Sequence, residues 1–119
     1  YPIGGTFHVP PGLSNALVLP HVLRFNAPEA AHLYAAIAAD AFPHLDREEG
    51  AQARCASFIE ELAALSSKLG LATRLRDVSI GEDDLPKMAS DAMKQQRLLV
   101  NNPREVAEAD ALAIYRAAW

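Results

Sequence analysis

The sequence predicts an all-α fold, a bundle of about five helices that forms one helical domain over residues 1–119. Apolar residues recur at helical spacing in several segments, most clearly between Cys55 and Leu69. Alanine and leucine, two strong helix formers, are abundant. With 119 residues, 50% of them hydrophobic, the chain is long enough to bury a core of its own.

Residues 1–11 are predicted to form a loop, because Gly4-Gly5 and Pro10-Pro11-Gly12 break the periodicity there. The run Leu13–Phe25 is apolar on nearly every side, which is typical of a helix that is buried all round. Pro20 is expected to end or kink this helix, because proline removes one backbone hydrogen-bond donor.

A second helix is expected to begin at Pro28 and to stop at Pro43, with Glu29 beside its positive end. Proline is well tolerated in the first turn of a helix, where its missing N–H has no partner to lose. The predicted buried stripe of this helix consists of Leu33, Ile37 and Ala41.

A third helix is predicted after Asp46, a good N-cap residue, and is expected to end at Gly70. Glu48 and Glu49 would lie in its first turn, where acidic side chains are favourable. The inner stripe of this helix consists of Cys55, Phe58, Leu62, Leu65 and Leu69. A buried and unassisted thiol at Cys55 is expected to be inert packing.

The segment Thr73–Ile80 has the composition of a strand, but it has no second strand to pair with. An extended connection is therefore predicted. A fourth helix is expected to be capped by Asp83 or Asp84, with Pro86 in its first turn. Its inward-facing residues are predicted to be Leu85, Met88 and Ala92.

Asn101–Arg104 reads as a turn, because asparagine and proline both favour turns. The final helix is expected to begin at about Ala107. Its apolar stripe is predicted to consist of Leu112, Tyr115 and Trp119.

Charge and composition exclude several partners. The net charge of −4 and the scattered Lys and Arg residues argue against binding to nucleic acid, which needs a basic face. The one cysteine, Cys55, allows no internal disulfide, which fits a reducing compartment, and we expect a cytoplasmic location. The longest apolar stretches are too short to span a bilayer, so no membrane partner is expected.

Four histidines are the candidate metal ligands: His8, His21, His32 and His44. None pairs with a helical carboxylate at metal-site spacing, because Pro43 interrupts the helix between Asp40 and His44. His44 is therefore expected to make a capping or surface contact. His21 is expected to be a neutral, hydrogen-bonded core imidazole. His8 either faces a substrate pocket or is solvated.

The first 26 residues closely resemble the metal-site segment of the iron-containing alcohol dehydrogenase family. In that family the segment reads roughly His-x-x-x-(His or Tyr)-Pro-Leu-Gly-Gly, followed after a short loop by Pro-His-Gly-Leu-x-Asn-Ala and Leu-Pro-His-Val. The corresponding stretches here are Tyr1-Pro2-Ile3-Gly4-Gly5, Pro10-Pro11-Gly12-Leu13-Ser14-Asn15-Ala16 and Leu19-Pro20-His21-Val22.

The resemblance implies that two histidines of this segment bind the metal in the family. The first would precede Tyr1, and the second falls on Pro11, which has no donor atom. No metal, cofactor or catalytic residue is therefore expected in this chain. A pseudo-enzyme, a metal-independent relative and a sequence error all account for Pro11. The resemblance implies that His21 is structural and that the substrate-pocket candidates are Tyr1, His8, Leu98 and Leu99.

The resemblance also covers Leu75–Val78, the start of the fourth helix and the Asn-Pro-Arg turn at Asn102–Arg104. It implies the later helices of a C-terminal all-helical domain, whose N-terminal partner domain binds NAD(P). The family enzyme uses Fe²⁺ or Zn²⁺ to polarise an alcohol while hydride passes to the nicotinamide.

We therefore expect this chain to be a C-terminal fragment of a larger two-domain dehydrogenase. Alone it is expected to be inactive, to lack its N-terminal cofactor domain and to self-associate through an exposed apolar face. The alternative is a non-catalytic helical remnant or interaction module.

Overall fold

A computed structural model describes residues 1–47 and 50–119, and within these ranges the chain is all-α without strands, as predicted. The described ranges contain six α-helices rather than about five. They are α1 (Pro2–Phe7), α2 (Pro11–Ala41), α3 (Ala51–Lys68), α4 (Leu85–Met93), α5 (Gln96–Leu99) and α6 (Glu108–Ala118). Short 3-10 turns occur at Pro43–Arg47, Leu75–Val78 and Glu82–Asp84. None of these helices is both long enough and apolar enough to cross a membrane.

The predicted loop at residues 1–11 is wrong, because α1 occupies most of it. Pro2 lies in the first turn, where proline is well tolerated. The helix ends at His8, whose backbone is left-handed with a φ of 56°. Ile3 and Val9 are both buried in the core, and this burial offsets the poor helix propensity of two glycines.

The two helices predicted on either side of Pro28 are one continuous helix, α2, of 31 residues. Both Pro20 and Pro28 lie inside it. A proline inside a helix costs about 3 kcal/mol in isolation, so packing must supply the difference. Packing along α2 does so, because the helix lies against α3 and α6 and its Pro20 ring is buried.

The predicted stripe of α2 is also wrong. Leu33 and Ile37 are 54% and 51% exposed, and Ala41 is exposed too. The buried residues of this half are instead small: Ala30, Ala35 and Ala38. Small side chains on this face let the backbones of α2 and α3 approach closely. Packing against α3 therefore buries the alanine face of α2, although the spacing of the large apolar residues favours the other face.

The prediction for α3 holds in part. Cys55 and Phe58 are buried and Leu62 packs against a core cluster, but Leu65 and Leu69 are 43% and 65% exposed. Gly70 ends the helix as predicted, with a left-handed φ of +71°. The N-cap residue is Gly50 rather than Asp46, which lies in a 3-10 turn. The predicted first-turn residues Glu48 and Glu49 lie outside the described ranges.

The connection between α3 and α4, predicted to be extended, contains the 3-10 turn Leu75–Val78. The Asp77 carboxylate stabilises this turn by accepting a hydrogen bond from the Arg74 backbone N–H at 3.2 Å. Asp84 precedes α4 as predicted, although its carboxylate accepts from the Gly81 N–H at 2.9 Å. The other predictions for this half are confirmed. Leu85, Met88 and Tyr115 are buried, Ala92, Leu112 and Trp119 pack against the same cluster, and residues 101–104 form a turn.

Two core clusters appear within the described residues, and α2 contributes to both. The larger cluster packs α1 and the first half of α2 against α4 and α6, with Leu75 and Leu85 at its centre. The smaller cluster joins Ala38, Leu45 and Phe58 at the other end of α2. The long helix is therefore the element to which the rest of the chain is attached.

A reciprocal amide pair connects the middle of α2 to the turn after α5. Asn26 and Asn102 each donate an Nδ2 hydrogen bond to the other's Oδ1, at 2.8 and 2.7 Å, and Asn26 is only 2% exposed. Arg104 extends the contact, because its guanidinium donates to the Phe25 carbonyl at 2.6 Å and lies 4.1 Å from the centre of the Phe25 ring. The turn is therefore fixed against α2 by polar groups.

We expect Asn26→Ala to lower the free energy of unfolding by about 1–3 kcal/mol, because it removes both hydrogen bonds between the part-buried Asn102 amide and α2. Urea denaturation followed by circular dichroism measures this change. Asn15→Ala, at an exposed position of the same helix, is the matched control and should shift stability by less than about 0.5 kcal/mol. Equal effects of the two variants would contradict a structural role for the amide pair.

Candidate functional site

The candidate residues of the N-terminal segment lie at the junction of α1 and α2. Tyr1 is 75% exposed, and His8 is exposed at the end of α1. Pro11 is the exposed first residue of α2, where its missing N–H is no loss. The Ser14 hydroxyl donates to the Pro11 carbonyl at 3.0 Å. Proline thus suits the backbone here while presenting no side-chain donor.

These residues do not fit a metal ion. The Pro11 side chain has no lone pair to offer, and the described residues contain no group of three His, Cys, Asp or Glu side chains placed to hold a metal. An open catalytic metal site depends on about three protein ligands. The described residues by themselves therefore do not present the donor set of a metal centre.

The structure corrects the prediction for His21. Its side chain is half-buried at the edge of a cleft rather than enclosed in a core, and within the described residues its ring makes no hydrogen bond. The pKa of His21 lies below its ordinary value of 6.5, chiefly because burial disfavours the charged ring and secondly because the Arg24 charge repels it. Burial therefore favours the neutral form of the ring.

His44 makes the surface contact that its position suggested. Its Nε2 lies 2.7 Å from a carboxylate oxygen of Glu61 on α3, and its side chain is 59% exposed. Cys55 is buried, and burial raises the pKa of its thiol, which opposes formation of the reactive thiolate. This environment agrees with the prediction of a packing role for Cys55.

Leu98 and Leu99 line an apolar cleft of about 230 Å³ between α2, α5 and α6. Leu98 is 42% exposed, whereas Leu99 is half-buried. The other walls of this cleft include Val18, Val22, Phe25, Ile114 and Tyr115. The structure therefore brings two of the four predicted pocket residues together in one apolar surface, while Tyr1 and His8 lie apart from that cleft at α1.

A second cleft was missed by the sequence analysis, which found no cluster of basic residues. It brings together Arg24 of α2, Arg74 and Arg76 of the 3-10 connection, and Arg116 of α6, beside His21. These residues are separated by up to 92 positions in sequence (116 − 24). No local pattern could have grouped them, because only the packing of α6 beside α2 joins them.

The whole sequence is similar to known proteins. The family model described as "Fe-containing alcohol dehydrogenase family, C-terminal" matches residues 1–119. The chain is 33% identical over 119 residues to lactaldehyde reductase of Escherichia coli K12, covering all of this chain and 31% of that protein. It is 36% identical over 121 residues to long-chain-alcohol dehydrogenase 1 of Geobacillus thermodenitrificans, of which it covers 30%.

Among solved structures, the fold matches that of a 1,3-propanediol oxidoreductase with a TM-score of 0.85 and 32% sequence identity. The match covers 98% of this chain and 30% of that one. The chain thus spans about a third of the length of the relatives it matches.

The lowered pKa of His21 predicts a pH-dependent stability. The unfolded chain takes up a proton near pH 6.5 and the folded chain only at lower pH, so the free energy of unfolding should fall as pH drops below about 6.5. His21→Gln should flatten this decline in urea denaturation between about pH 5 and pH 7. His32→Gln, at an exposed position of α2, is the control that should follow the wild type. A His21→Gln profile that retains the full decline would contradict this assignment.

Proposed function

This chain belongs to the Fe-containing alcohol dehydrogenase family, and on that premise we propose that it is the C-terminal helical domain of an NAD(P)-dependent alcohol–aldehyde oxidoreductase. The observation that carries the proposal is the family match along all 119 residues. In such an enzyme, hydride passes between the alcohol carbon and the nicotinamide ring, and the protein holds the two in register. We propose that residues 1–119 form one domain of that enzyme, and that its cofactors are NAD(P) and Fe²⁺ or Zn²⁺.

The part that this chain contributes is a wall of the substrate pocket and the helices that support it. The apolar cleft beside Leu98 and Leu99 suits the hydrocarbon portion of an alcohol or aldehyde, because apolar surfaces with few polar groups are typical of small-molecule sites. Tyr1 and His8 are exposed at α1 and do not line this cleft, so we propose for them a separate part of the substrate pocket, formed by the N-terminal segment.

Pro11 favours a second candidate function, a non-catalytic helical module of the same family. Proline at this position offers a metal no donor and yet fits the first turn of α2 well. A chain that has lost a ligand in this way retains its fold, since the ligand side chain is not part of the core. Its function would then be to bind other proteins.

We propose two partners for this chain: an N-terminal cofactor-binding domain and, when the chain is isolated, a second copy of itself. Large apolar side chains are exposed on α2 and α3, among them Leu33, Ile37 and Leu65. Exposure of several such residues is typical of a surface that another domain or subunit covers. The free thiol of Cys55 supports a reducing location, which we propose to be the cytoplasm.

The intact mass and activity of the protein isolated from its natural source test the enzyme proposal. We expect a mass well above the 12.8 kDa of this chain and alcohol-dependent reduction of NAD(P)⁺, measured by absorbance of the reduced nicotinamide. The 119-residue chain alone should show no such reduction, because it lacks the cofactor-binding domain that we propose as its partner. A natural protein of 12.8 kDa without activity would favour the helical module. Activity of the isolated chain would contradict the proposal that catalysis needs the separate cofactor-binding domain.

Replacement of Pro11 separates the two candidate functions further. In the natural protein, Pro11→His should increase bound iron or zinc, measured by mass spectrometry of the metals, if the remaining ligands are present. Pro11→Ala is the matched control, because it removes the proline without adding a donor. If both variants have the metal content of the natural protein, then position 11 does not face a metal site and the helical module is favoured.

Self-association of the isolated chain gives a further prediction. Light scattering after size exclusion should give a mass above 12.8 kDa that increases with protein concentration. Leu33→Glu with Ile37→Glu should lower that mass, because the pair forms one exposed stripe of α2. His32→Glu with Ala36→Glu adds the same charge at exposed positions and is the control. A monomeric wild-type chain at all concentrations would refute self-association.

A further inference from the structure

The second cleft, termed the basic cleft because arginines line it, combines cationic and hydrogen-bonding groups in one concave surface. It has a volume of about 530 Å³ and is formed by α2, the last turns of α3 and α6, and the connection between α3 and α4. Arg24, Arg74, Arg76 and Arg116 line it, with the half-buried ring of His21 and the hydroxyl group of Ser66. None of the described lining side chains is a carboxylate.

This concentration of positive charge contrasts with the rest of the molecule. The chain has a net charge of −4, yet the cleft contains four of its 11 Lys and Arg residues. Like charges that share a cleft repel one another, and low-dielectric walls strengthen their field. An arrangement of this kind is favourable when an anion occupies the cleft.

The partners of the arginines show how much of this charge is already compensated. Arg24 forms an ion pair with Glu60 at 2.7 Å, outside the cleft. Arg76 donates to the Trp119 backbone carbonyl and lies 4.0 Å from the centre of the Trp119 ring. Within the described part of the chain, the side chains of Arg74 and Arg116 make no ion pair.

Helix ends provide the main opposing charge. The C-terminal turns of α3 and α6 both reach the cleft, and each helix C-terminus corresponds to about half a negative charge. Arg76 is already engaged with Trp119, so two guanidinium groups, those of Arg74 and Arg116, stand against this total of about one charge. A positive excess of about one charge therefore remains.

We propose that this cleft binds a small multivalent anion that carries phosphate or carboxylate groups. Arginine suits such a ligand, because its planar guanidinium forms paired hydrogen bonds with the oxygens of either group. The Ser66 hydroxyl and the His21 ring lie beside the arginines and can also donate hydrogen bonds to the anion. The site is separate from hydride transfer, so it can be tested without enzymatic activity.

Isothermal titration of the chain with pyrophosphate and with citrate, at constant ionic strength near pH 7, tests the proposal. We expect saturable binding of one anion per chain, and the tighter of the two anions identifies phosphate or carboxylate as the preferred group. Arg74→Gln with Arg116→Gln should raise the Kd by roughly tenfold or more. Lys87→Gln with Arg97→Gln removes the same charge outside the cleft and should change the Kd by less than about twofold.

A second readout reports on the cleft itself. Bound anion should raise the pKa of His21 in a nuclear magnetic resonance titration, because negative charge beside the ring favours its protonated form. Circular dichroism of each variant verifies that the helices are retained. If neither anion binds saturably to the wild type, or both double variants weaken binding equally, the proposal is overturned and the arginines serve only as counter-charges of the helix ends.

Discussion

The amide pair between Asn26 and Asn102 is the contact on which the relation of the two halves of the chain depends. It joins residues 76 positions apart, and it buries the Asn26 side chain almost completely. A buried amide that loses a partner costs about 1–3 kcal/mol, so the pair favours this placement of the turn against α2. Arg104 adds a charged donor to the Phe25 carbonyl at the same place. This contact fixes the position of one wall of the apolar cleft beside Leu98 and Leu99.

Helix α2 distributes the functional surfaces of the chain along its length. Val18, Val22 and Phe25 face the apolar cleft, whereas Pro20, His21 and Arg24 face the basic one. Residues three and four apart share one side of a helix, so these two sets form separate stripes. Because one rigid helix holds both clefts, a change at one is expected to leave the other in place. The hydride-transfer role and the anion site are therefore physically independent proposals.

Pro11 occupies a position at which the fold tolerates many residue types. The position that the family resemblance assigns to a metal ligand lies at the exposed start of α2, outside both core clusters. Stability therefore places little constraint on it, and proline even suits the helix start. The residues that define the fold, such as Leu75, Leu85 and Asn26, are buried and strongly constrained. A proline at position 11 is thus compatible with the family fold.

The sequence by itself determined the helical class, the family, the stop at Gly70, the start of the last helix and the inward residues of α4 and α6. These depend on local spacing and on residues with special backbone geometry. Only the tertiary structure decided that α2 continues through Pro20 and Pro28, that Leu33 and Ile37 face outward, and that four distant arginines share a cleft. The reason is physical: such features depend on which neighbour a helix packs against, and long-range packing outweighs local preferences of a few kcal/mol.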